Sequence, residues 1–99
     1  MYIVIYSFEI EKGKYLEFVD SWKMLTNIIK KDAGGLGSRL HKKSEIEYIA
    51  YAQWPNKETF DKAGSKLAEK AIEIRDKMRV SGVKVKMLDQ LEVVEDLLV

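Results

Sequence analysis

The chain has 99 residues, 46% of them hydrophobic and 33% charged, a length and balance that fit a single globular domain spanning residues 1–99. Its formal charge is +1, with Lys and Arg interspersed among Asp and Glu, so the positive field that nucleic acid or an anionic membrane would require is missing and neither partner is expected. No Cys and a single His exclude a disulfide framework, a thiol nucleophile and the usual ligand sets for zinc or non-haem iron within one subunit, so no metal and no cofactor are expected.

Tyr2 to Glu9 is a β-branched and aromatic run that reads as a strand, with Tyr2, Val4, Tyr6 and Phe8 on one face and Ile3, Ile5 and Ser7 on the other. Both faces are largely apolar, so neither is expected to meet water. The opening MYIVIYSF is too short and too poor in basic residues for a secretory leader, which makes a cytoplasmic protein the expectation. From Lys14 to Lys31 the period turns helical, with Tyr15, Phe18, Trp22, Leu25 and Ile29 at steps of three and four. Lys30 and Lys31 suit the negative end of that helix, and Gly34 supplies a left-handed stop.

Leu36 to Lys42 and Glu47 to Trp54 form a hairpin that turns through Lys43-Ser44-Glu45. Pro55-Asn56 ends the second of these strands, and Asn56 caps a new helix. Phe60, Ala63, Leu67, Ala71, Ile74 and Met78 keep helical register through Gly64-Ser65, which predicts one long, kinked helix. Ser81-Gly82 turns the chain into a last strand from Val83 to Val94, whose imperfect alternation allows a bulge. The order strand, helix, strand, strand, helix, strand packs as an α+β, ferredoxin-like βαββαβ domain: a four-stranded antiparallel sheet with the helices on one face. The other face then lacks a cover. A second copy of the chain is the expected one, meeting it through the open sheet face and the C-terminal strand, with Leu97-Leu98-Val99 adding an apolar end.

The order of elements, the GGLGSRLHK segment after a Trp-bearing helix, and YAQWPNKETFDKA across the strand-to-helix junction together resemble the antibiotic biosynthesis monooxygenase (ABM) domain family over essentially the whole chain. The resemblance implies a dimeric α+β barrel, in which two such sheets face each other and the last strand reaches onto the partner. It also implies a choice of activities. Some members oxidise anthrones or quinols with dioxygen and no metal or flavin, others degrade haem, and many have no assigned activity. The family's Trp at the end of the third strand matches Trp54. The Asn used by anthrone-oxidising members falls on Ala50, and the haem-ligating His falls on Gly64, so neither role carries over.

Trp54, Tyr6, Tyr51 and Trp22 are the candidate substrate-binding residues, an aromatic lining for a small hydrophobic or aromatic molecule. Trp54 has a second reading as core, packing near Phe60 to fix the following helix, and core is the ordinary place of a buried Trp. Arg39 and His41 lie two apart on one strand, so they share a face and are the candidate catalytic pair, Arg39 binding an anion and His41 acting as general base. The adjacent Lys42 and Lys43 also fit a plain solvated strand end. Two functions follow: cofactor-independent oxidation of a small aromatic or quinol-like compound, or a non-catalytic dimeric module that binds a small ligand or serves in a stress-related role.

Overall fold

Apolar residues on both faces from Tyr2 onward make a central strand, and the rest of the fold is hung on it. In the computed structural model, which describes residues 1–98, the elements are β1 (Tyr2–Glu9), α1 (Tyr15–Asp32), β2 (Gly37–Lys42), β3 (Glu47–Trp54), α2 (Lys57–Ala63), α3 (Glu69–Val80) and β4 (Lys84–Glu92). Val99, the last residue of the expected apolar end, lies outside the described residues. The sheet order is β2-β3-β1-β4 with every pair antiparallel, so β1 and β3 are central and β2 and β4 form the edges. This is the expected ferredoxin-like topology.

Local chemistry explains the boundaries. Gly34 has φ +79°, a conformation costly to residues with a β-carbon, and it ends α1 after the Ala33 N–H donates to the Ile29 carbonyl at 3.0 Å. In the hairpin, the Ser44 hydroxyl oxygen accepts from the Glu47 N–H at 3.1 Å, which fixes the turn. Asn56 caps α2, its Oδ1 accepting from the Thr59 N–H at 2.8 Å. β4 carries the bulge. Ile5 pairs with Asp89 while Tyr6 pairs with Met87, so Leu88 is the extra residue.

One expectation is corrected. The helix after Asn56 is not continuous: Gly64–Lys66 forms a 3-10 turn, and Leu67 (φ −69°, ψ 126°) and Ala68 (φ −62°, ψ 152°) are extended. The apolar period survived the break, which hid it. The local cause is Gly64 followed by Ser65, whose hydroxyl donates to the Lys62 carbonyl at 2.8 Å and so competes with the helical ladder.

All three helices pack on the Tyr2, Val4, Tyr6, Phe8 face. One cluster joins Phe8, Tyr48 and Ala50 of the sheet to Phe18, Ile74 and Met78 of the helices; a second joins Tyr2, Val4 and Trp54 to Ala33 and Ala63. The opposite face has no helix. At its centre it carries Ile3, Ile5, Ile49 and Tyr51, bordered by Arg39 and His41 on β2 and by Lys86 and Asp89 on β4. Every residue of β4 is exposed, and so are Val94, Leu97 and Leu98. No helix among the described residues is long and apolar enough to cross a membrane.

Candidate functional site

The two core clusters share Tyr6, which packs against both. Between them lies a chamber of about 660 Å³, walled by Tyr6, Phe8, Ala50, Ala52 and Trp54 of the sheet, Trp22, Leu25 and Ile29 of α1, Phe60 of α2, Leu67 in the link, and Met78 of α3. A cavity of that size and apolar character is suited to a small organic ligand. Small residues create the space: Ala50 and Ala52 sit opposite Tyr6 and Val4 on β1, where larger side chains would close it.

Trp54 is 5% exposed and stands edge-on to Phe60, with ring centroids 5.4 Å apart. Its six-membered ring lies against Gly35, where a β-carbon would stand 3.5 Å from Cη2. Its indole Nε1 is buried without a hydrogen-bond partner among the described residues, and so is Oγ of Ser38. Ser38 pairs with Ala52 on β3, which places both orphaned groups on the same sheet face and in the lining of the same chamber. A buried donor without an acceptor costs about 1–3 kcal/mol, an energy recovered when a ligand oxygen supplies the missing partner. Tyr6 contributes a phenol whose pKa burial raises, so it stays protonated and serves as a donor rather than a base.

The structure divides the residues singled out from sequence. Tyr6, Trp22 and Trp54 come together in the chamber. Tyr51 does not join them: it pairs with Ile5 and Arg39, so its side chain belongs to the helix-free face. Trp22, Arg39 and Tyr51 instead meet at a smaller recess that wraps around the β2 edge. His41 reaches neither cavity. It is exposed on the edge strand, its Nδ1 3.1 Å from the Ile49 carbonyl, which places it apart from the aromatic lining it was expected to serve as base. Within the chamber lining the one carboxylate is Asp76, exposed and 3.4 Å from Arg79. No group of three or more His, Cys, Asp and Glu residues that could hold a metal comes together among the described residues.

Sequence reasoning passed over Ser38, a small polar residue in a strand that gives no signal by itself. It also left unused the positions of Ala50 and Gly64. Both line the chamber, so the places where the resembling family carries Asn and His are in the cavity here and present no polar side chain.

No protein-family model matches this sequence, and no curated protein sequence matches it. Solved structures do. SnoaB, a cofactor-independent oxygenase from Streptomyces nogalater, superposes with a TM-score of 0.79 over 97% of this chain and 95% of its own, at 12% identity. A protein from Deinococcus radiodurans described as an antibiotic biosynthesis monooxygenase gives a TM-score of 0.77 over 100% of this chain and 98% of its own, at 11% identity. The chain shares the fold of these two proteins. A MhuD variant with two manganese protoporphyrin IX molecules bound per active site shares that architecture at 21% identity, with a TM-score of 0.66 over 98% of both chains. One scaffold thus serves a cofactor-independent oxygenase and a porphyrin-binding protein, and the chemistry of this chain lies in its own chamber.

Proposed function

We propose that the protein oxidises a small aromatic or quinol-like compound with dioxygen inside the chamber, without a metal or organic cofactor. The observation that carries this is an apolar cavity with aromatic walls in which two polar groups, Trp54 Nε1 and Ser38 Oγ, wait unpartnered. Together with the Tyr6 phenol they would bind an oxyanion better than a neutral hydroxyl, so the site favours ionisation of the ligand, and its proton goes to solvent. An ionised, electron-rich ring can give electrons to dioxygen directly. For a quinol the balance is one quinol and one dioxygen giving one hydroxyquinone and one water: a ring C–H becomes C–OH, the two hydroxyls become carbonyls, and dioxygen takes up four electrons. The chain's task in this reading is binding, charge stabilisation and exclusion of water.

Oxygen uptake with a panel of hydroquinones and anthrone tests the proposal. Turnover above the buffer rate, abolished when Ala50→Phe fills the cavity, is the expected result; buffer-rate uptake across the panel sinks it. A second reading rests on the lack of an unengaged base in the lining: a module that holds such ligands without turning them over. It predicts saturable binding with no oxygen uptake.

We also propose that the working form is a homodimer in the cytoplasm, meeting through the helix-free sheet face and the β4 end. An apolar centre with a charged border is the anatomy of an interface, and exposed Leu91, Val94, Leu97 and Leu98 extend it. Sedimentation at micromolar concentration should give twice the chain mass; a monomer there overturns the dimer.

A further inference from the structure

Where the chamber is mainly apolar, although Lys30, Arg75, Asp76 and Arg79 also line it, the recess around the β2 edge is mainly polar and has a volume of about 360 Å³. Lys23, Asn27 and Lys30 reach it from α1, at positions i, i+4 and i+7 on one helix face, and Arg39 and Tyr51 reach it from the sheet. No acidic side chain lines it. The ion pairs among the described residues lie elsewhere, and none involves Lys23, Lys30 or Arg39. In a chain with 17 basic and 16 acidic residues, three unneutralised cations around one recess are a local excess. Lys30 is held over it: its stem crosses Gly37, with Cδ 3.6 Å and Nζ 4.0 Å from where a β-carbon at that position would stand. Trp22, Lys30 and Ser38 line both cavities, so the two adjoin.

We propose that the recess seats the acid group of the ligand whose rings occupy the chamber, so that the ligand class is an aromatic carboxylate. The inference rests on the reading of the chamber as a ligand site and names the chemistry that site selects. The rings would lie against Trp22, Tyr6 and Trp54, and the carboxylate among Lys23, Lys30 and the guanidinium fork of Arg39. A neutral analogue of the same shape fills the chamber and leaves the cations solvated. Selection between the two is therefore electrostatic, and salt weakens it.

Calorimetric titration of the full chain with naphthoate and with naphthalenemethanol separates the terms. At low salt naphthoate should bind about tenfold more tightly than the alcohol, the yield of a few partly exposed charge pairs. The preference should shrink at high salt and in a Lys23→Gln/Arg39→Gln variant, and persist in Lys70→Gln on α3, which lines neither cavity. The two target residues are exposed in the single chain, and a melting curve with sedimentation confirms that the variant is folded and keeps the parent's oligomeric state. Equal affinity for both ligands, or a preference that survives the double substitution, overturns the inference while leaving the chamber reading intact. Binding of neither ligand overturns both.

Discussion

Replacing Trp54 by Phe and by Ala separates what the indole does for the fold from what it does for a ligand. Trp54 is almost wholly buried, and its ring packs on Phe60 and Gly35. The Ala variant loses that packing and leaves a hole, which should cost about 3–5 kcal/mol. The Phe variant keeps an aromatic ring against Phe60 and surrenders roughly 40 Å² of apolar burial, worth about 1 kcal/mol. It also removes a buried N–H that has no acceptor, which returns about 1–3 kcal/mol. The two terms net to between zero and a gain of about 2 kcal/mol, so Trp54→Phe should be no less stable than the parent. Urea unfolding followed by circular dichroism, with all variants at one chain concentration, measures both numbers. For ligand binding the pattern should differ: Phe lacks the donor and should lose about tenfold in affinity for a phenolic ligand despite its stability. If Phe costs as much stability as Ala, the indole N–H has a partner in the folded chain and the account of an orphaned donor fails.

Ala50→Phe should fill the chamber at a cost of about 1–3 kcal/mol from overpacking and remove ligand binding; retained binding measured by calorimetry would place the ligand elsewhere. Burial raises the Tyr6 pKa, so the folded state holds that proton more tightly than the unfolded chain. Stability contributed by Tyr6 is therefore intact below the ordinary tyrosine value near pH 10 and declines as pH rises beyond it; urea midpoints across pH 8–11 should show a fall in that window that is smaller in Tyr6→Phe. Asn56→Ala removes the acceptor of the Thr59 N–H and should cost about 1 kcal/mol in the same unfolding assay, with Asn56→Asp largely restoring it.

Much of the fold was written in periodicity. The two-residue alternation of Tyr2–Glu9 assigned its faces correctly, and Trp54, Pro55 and Asn56 marked the strand end and the cap because their backbone chemistry is local. The same alternation already separates Tyr51 from Trp54, three residues apart on one strand and hence on opposite faces. Arg39 and His41 are different. β2 is a polar edge strand, and only its register, Arg39 opposite Tyr51 and His41 opposite Ile49, reveals that they face away from the helices. Lys23 and Lys30 were concealed by their surroundings: charges spaced along a helix look like solvated residues until the strand that meets them is known. The sequence marked a kink at Gly64-Ser65 but not a full break, because apolar spacing reports which side a residue takes, not whether the backbone between two such residues stays coiled.

That break also shapes what the protein can accept. Leu67 belongs to the chamber wall, yet it and Ala68 are extended residues between two helical pieces, so swinging them requires rotation about a few bonds and leaves both α2 and α3 intact. The sheet wall is held by ladder hydrogen bonds that the extended link does not have. The link is therefore where the wall is expected to yield first to a bulkier guest, with the helices on either side unchanged.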